Sequence, residues 1–210
     1  VTFSTSGGTF TNTNINWQIA SGKTVANNTN FGAGSWVNSS RTMTVNGAFQ
    51  VNQGSWAGNS GTWSYGTGAT LVFNNSSGSY GVANDAYWPS SNGPTNVTAQ
   101  GAGGITMNTP RTVAGTFLIV GGGVSNAGAN VLTLNGTVQI NGGNFNHSPN
   151  YGPASLLKYN TGTTYSRYVE WNATSGPGYP HSVQLSNNTT LNYPNVTSAP
   201  IGTPPASPLA

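Results

Sequence analysis

Asp85 and Glu170 are the only side-chain acids in this chain of 210 residues, so any carboxylate chemistry must use one or both of them. A glycosidase needs one protonated and one ionised carboxyl across the scissile bond. Asp85 stands three residues before Trp88, and Glu170 directly precedes Trp171. The two acids thus occupy similar places in two similar stretches, which sets them apart along the chain. The expectation is a surface charge, or Glu170 paired with Arg167 or Lys158. A calcium-dependent lyase needs several clustered carboxylates, and two acids cannot build one. His147 and His181 are the only histidines and Cys is absent, too few N and S donors for a zinc site of three or four such ligands. A nucleophilic triad needs Ser, His and an acid in contact, and no GxSxG occurs. The Gly-rich runs at 101–104 and 121–123 lack the Lys-Ser/Thr and the helix of a phosphate loop. No catalytic residue, metal or cofactor follows from these residues, and a non-enzyme is expected.

The aromatic side chains offer binding rather than catalysis. Among the tryptophans, Trp36 and Trp63 are candidates for stacking on sugar rings. Trp56 and Trp88 have aromatic counterparts later in the chain, Phe145 and Trp171, which points to a structural role. Thr-x-Thr pairs at Thr11/Thr13 and Thr42/Thr44 are too few for the regular array of an ice-binding face.

The elements that position these residues are announced by a repeated phrase. Residues 42–56 read TMTVNGAFQVNQGSW and residues 131–145 read VLTLNGTVQINGGNF. At an offset of 89, Asn46-Gly47 falls on Asn135-Gly136, and Gln50 and Asn52 fall on Gln139 and Asn141. Further on, Leu71-Val72 matches Leu156-Leu157, Trp88 matches Trp171, and Gly93-Pro94 matches Gly176-Pro177. The chain is read as two tandem units: 15–104 and 105–197. Residues 1–14 are strand-like and complete a preceding unit or pair with a neighbour. A Pro-rich tail spans 198–210.

Charged residues are 3% of the chain, against roughly 25% in ordinary soluble domains. The five cations are dispersed, so no basic patch for nucleic acid is formed. Period-two alternation at Val1, Phe3 and Phe10, and at Ile15, Trp17 and Ile19, reads as strand. No apolar run is long enough for a membrane helix, and insertion into a membrane is not expected. Eleven N-x-S/T sequons occur, the number chance supplies in so Asn/Thr-rich a chain. A unit of 85–89 residues divides into about four rungs of 20–25, a plausible coil of a β-solenoid whose rungs bury a core only when stacked. Stacked rungs also disfavour charge ladders and favour amide ladders. The fold expected is all-β, a right-handed parallel β-helix; the alternative is two β-sandwich domains. Asn-Gly suits either a two-residue hairpin or a tight corner between rungs.

The phrases WPSSNGPTNVT, ITMNTPRTVAGTFLIVGGG and NVLTLNGTVQINGG resemble the repeats of very large Bacteroidetes-type surface proteins. So does LLKYNTGTTYSRYVEWNATSGPGYPHSVQLSNNTTLNYPN, and the likeness covers most of 15–197. The resemblance implies a secreted, cell-surface, adhesin-like structural protein, associated with type IX secretion, and supplies no catalytic residues. Independently of the resemblance, the first strand reads as the end of a preceding unit, and open ends with exposed ladder groups are expected to template head-to-tail stacking into a homo-oligomer or fibre. Val1, Phe3, Phe10, Pro204 and Pro205 are the expected assembly residues. Asn46, Gly47, Asn135, Gly136, Trp88 and Trp171 are expected to be structural. A carbohydrate-binding module for cell-surface glycans is the alternative.

Overall fold

A computed structural model describes residues 10–11, 17–22, 24–27, 36–37, 42–52, 62–83, 87–127 and 132–192. The chain winds repeatedly round three faces. It passes through β1 (Phe10–Thr11) and β2 (Trp17–Ile19), then β3 (Thr24–Asn27), β4 (Trp36–Val37) and β5 (Thr42–Val45). The next turns hold β6 (Ala48–Val51) and β7 (Thr62–Tyr65), then β8 (Thr70–Phe73) and β9 (Tyr80–Val82). Three three-stranded turns follow. They are β10 (Asn96–Ala99), β11 (Ile105–Met107) and β12 (Arg111–Val113); β13 (Phe117–Ile119), β14 (Gly123–Asn126) and β15 (Leu132–Leu134); and β16 (Thr137–Ile140), β17 (Asn144–Phe145) and β18 (Asn150–Tyr151). The last hold β19 (Leu156–Tyr159) and β20 (Thr164–Ser166), then β21 (Ser182–Leu185) and β22 (Thr190–Asn192).

One face is an eight-stranded sheet in the order β3-β6-β8-β10-β13-β16-β19-β21. Its strands begin at residues 24, 48, 70, 96, 117, 137, 156 and 182, so successive coils take 19 to 26 residues. All the described pairings are parallel, and each strand lies on the strand one coil away. The fold is therefore a β-solenoid, and the sandwich alternative, built on antiparallel neighbours, does not hold. β6 and β16 are four places apart in this sheet, so the repeat offset of 89 is four coils. Nothing interrupts the sheet at 104/105: Gly104 is a corner within one coil, between β10 and β11.

Alternation makes the core. Phe49, Leu71, Val97, Phe117, Val138 and Leu157 stack in register and are at most 1% exposed. Outside the sheet, amides stack instead. The Gln50 amide donates to Asn52 Oδ1 at 2.6 Å and Asn74 to the same oxygen at 3.2 Å. Four coils on, Gln139 and Asn160 donate to Asn141 Oδ1, both at 2.9 Å.

Asn-Gly is a corner, not a hairpin. Asn46-Gly47 turns the chain from β5 to β6, and Asn135-Gly136 from β15 to β16. The Asn46 side chain lies over Gly66 of the next coil, where an added Cβ would meet Oδ1 at 2.2 Å; Asn135 lies over Gly152 in the same way at 2.4 Å. Gly136 lets the backbone approach the coil before it, since a Cβ there would meet Gly115 O at 2.2 Å.

Candidate functional site

The third face is where regularity breaks. It carries β2-β5-β7 and β12-β15-β18 as separate sheets. In the coil between β7 and β12 a loop containing Tyr87 to Thr95 takes the place of a strand. Its backbone still joins the stack: Tyr65 N donates to Asn92 O at 2.9 Å. Four coils later a second loop, 167–181, follows β20 and carries a short 3₁₀ turn, Val169–Trp171. Both loops drive a pair of side chains inward. Tyr87 and Trp88 are fully buried in the first, Glu170 and Trp171 in the second to 0% and 8% exposure.

Glu170 thus proves to be a core residue, and the expectation of a surface charge is overturned. The 3₁₀ turn aims it inward at donors supplied by neighbouring elements. Tyr159 Oη donates to Oε1 at 2.9 Å, and the Tyr168 N–H donates to Oε1 at 3.0 Å and Oε2 at 3.1 Å. Tyr151 Oη donates to the Glu170 backbone carbonyl at 2.8 Å. Burial pushes the Glu170 carboxyl above its ordinary value, while these hydrogen bonds and the Arg167 cation pull it down. Arg167, itself buried, stacks on Trp171 at 5.3 Å from the ring centre. Burial, then the Glu170 charge, raises the Tyr159 hydroxyl far above its usual range.

The first loop shows what this cluster replaces. Tyr65 Oη donates to the Tyr87 carbonyl at 2.5 Å, as Tyr151 does to that of Glu170. Phe73 packs on Tyr80 at 5.4 Å, as Tyr159 packs on Tyr165 at 5.3 Å. So Glu170 stands where Tyr87 stands, Tyr159 where Phe73 stands, and Arg167 where Val82 stands. In the first copy Tyr87 Oη instead donates to Tyr80 Oη. A plug of rings and Val82 in one copy is a carboxylate held by tyrosines beside Arg167 in the other. Both fill the same coil interior. Glu170 has no exposed surface, and its carboxyl faces the donors that hold the loop.

The remaining sequence candidates are dispersed. Trp63 is 3% exposed, packed edge-on to Phe49 at 4.9 Å; it faces the core and is no platform for a sugar. Trp88 and Trp171 are buried, and Asn46-Gly47 and Asn135-Gly136 form corners between strands. Trp36 and Phe10 pair through their backbones in β1 and β4; their side chains lie outside the described residues. So do Val1, Phe3, Asp85, Pro204 and Pro205. His147 is exposed and accepts from Asn126 N at 3.3 Å; His181 is exposed, its N–H donating to Ser155 Oγ at 3.2 Å. Among the described residues no three His, Cys, Asp or Glu gather closely enough to hold a metal.

Sequence reasoning missed Arg111. It is 8% exposed and pins the first loop: Nε donates to Trp88 O at 2.8 Å, Nη1 to Pro110 O at 2.9 Å, and Nη2 to Ala83 O at 3.2 Å. Between this loop and β12 lies an open groove of about 500 Å³. Pro89, Asn92, Pro94, Pro110 and Thr112 line it, and Thr133 of β15 closes it. It is neutral, with hydroxyls, amides and proline faces. Among the described residues its only charge is the guanidinium of Arg111, already engaged by carbonyls. No known protein family, characterised protein or solved structure matches the chain.

Proposed function

We propose that the chain is an extracellular, non-enzymatic structural module of a cell-surface adhesin or filament, which extends by stacking coil on coil. The fate of its ionisable groups carries this reading. Glu170, Arg111 and Arg167 are all buried and spent on holding the two loops. Among the described residues, what remains outside is a face of amides and hydroxyls with Lys158 half-buried and His147 and His181 exposed among them. Such a surface suits coil stacking and multivalent display, and among the described residues the groove by Arg111 is lined by amides, hydroxyls and prolines. Antibody labelling of intact cells that express the protein tests the location. Labelling without permeabilisation is expected; labelling only after permeabilisation would contradict the reading.

The neutral groove favours a second reading, a carbohydrate-binding surface module. Hydroxyls, amides and proline rings match the mixed polar and apolar faces of a neutral sugar. A glycan array with the intact protein and Thr112→Arg distinguishes the two. Binding abolished by T112R supports the groove. Binding unchanged by it, or no binding, leaves the structural reading alone.

A further inference from the structure

We infer that the outer edge of β21 accepts the β3 strand of a second copy, in a register dictated by the four-coil repeat. This rests on the stacking reading above and names its interface.

The same interface is already present inside the chain. β21 is the counterpart of β10: Val97 pairs with Leu71 of β8, and Val183 pairs with Leu157 of β19. The strand on the far side of β10 is β13, with Val97 opposite Phe117. β13 is in turn the counterpart of β3. Phe117 pairs with Val138 of β16, and Val25 pairs with Phe49 of β6, the residue that Val138 repeats. The eight strands of the large sheet thus comprise two four-coil periods. A copy placed with β3 on β21 continues the sheet in phase and reproduces the β10–β13 contact; β1 of that copy, which lies on β4 as β11 lies on β14, must then leave its place, which β22, also a counterpart of β11, already fills. Val25 then lies opposite Val183, and Ala26 opposite Gln184.

The end coil has the inward residues for such a cover. Val97, Ala99 and Ile105 are buried to 0–1% under the next coil. Their counterparts Val183 and Leu191 are half-exposed, and Leu185 is 52% exposed. Among the described residues no strand lies on the outer side of β21 or β22. A row of open ladder groups above apolar side chains templates strand addition. The contact joins one end to the other, so it does not close and yields a fibre. Residues 193–210 of the same chain are the competing occupant.

The native absence of Cys makes the register testable. Single variants Ala26→Cys and Gln184→Cys are mixed at high concentration and oxidised. Thr24→Cys mixed with Q184C is the shifted control, two residues away and beyond disulfide reach. Covalent dimers from A26C with Q184C, and none from T24C with Q184C, are expected. Cross-linking through T24C instead would overturn the register while leaving stacking intact. Particles that lengthen with concentration but cross-link through neither pair would overturn this interface and leave the function proposed above. A protein that stays monomeric would overturn both. Leu185→Arg is expected to cut the A26C–Q184C yield about tenfold or more. If L185R instead lowers only the thermal stability of a monomer, residues 193–210 cover this end and the inference fails.

Discussion

At the scale of residues, the chain repeats one loop plug with two chemistries. Phe73, Val82 and Tyr87 fill the first with rings and an aliphatic side chain; Tyr159, Arg167 and Glu170 fill the second with a carboxylate and its donors. A half-satisfied buried network costs more than an apolar one. Tyr159→Phe removes a donor from Glu170 and should cost about 1–3 kcal/mol in urea unfolding. Converting the whole set at once, by Y159F, R167V and E170Y together, should recover most of that loss, because the first loop already packs this way. The pH dependence has an unusual sign. The folded Glu170 carboxyl is raised above its unfolded value. Its contribution is therefore fully present below the unfolded carboxyl range and is lost as pH rises through the folded value. The wild type should melt higher in mild acid than at neutral pH. Glu170→Gln should flatten that profile; a wild-type midpoint that instead falls on acidification would contradict the assignment. Part of this cluster is legible: Arg167 stands three residues before Glu170, and matching Trp88 with Trp171 sets Tyr87 against Glu170. The inward turn of Glu170 is not legible, because a lone acid on a loop carries no periodicity, and the Tyr159 hydroxyl gains its meaning only from that turn.

At the scale of elements, corners set the coil. Gly136 approaches the preceding coil's backbone, with Gly115 O at 2.2 Å from an added Cβ, whereas at Gly66 the obstacle is the Asn46 side chain. Backbone cannot swing aside and an amide can. Gly136→Ala should therefore destabilise by about 1–3 kcal/mol, and Gly66→Ala by distinctly less, measured by denaturant midpoint. Equal losses would mean that the Asn46 amide is as rigidly held as backbone. The corners were the most readable feature of the sequence, because Asn46-Gly47 and Asn135-Gly136 recur with Gln and Asn at the same following places. Hairpin and rung corner share that signal, and tertiary stacking decided between them. Trp63 was misread for the same reason. Single-residue exposure depends on which face of a four-residue strand turns inward, and alternation alone leaves that choice open.

At the scale of the whole molecule, the period is four coils, and the core runs through it without a seam. Stability in such arrays is nearly a sum of coil and nearest-neighbour terms, so whole periods should be separable. Deleting residues 48–136 joins Gly47 to Thr137 and brings β16, the repeat of β6, onto β3. Deleting 48–115 joins Gly47 to Thr116 and brings β13 there instead, in the same strand register but out of phase. The first deletion should fold with the higher thermal midpoint, and the reverse order would deny that the four-coil period governs stacking. The 89-residue offset and the rung length of 20–25 were legible, and the coils take 19 to 26 residues. The loop that replaces a strand once per period was not, because its Pro and Gly residues read as an ordinary turn.

Axial periodicity of assembled protein, measured by cryo-electron microscopy at increasing concentration, tests coil-on-coil stacking most directly. Eight coils at about 4.8 Å each predict fibres one solenoid wide with an axial repeat of about 38 Å. Particles that stay one chain long at every concentration, or that join side by side without that repeat, would contradict it.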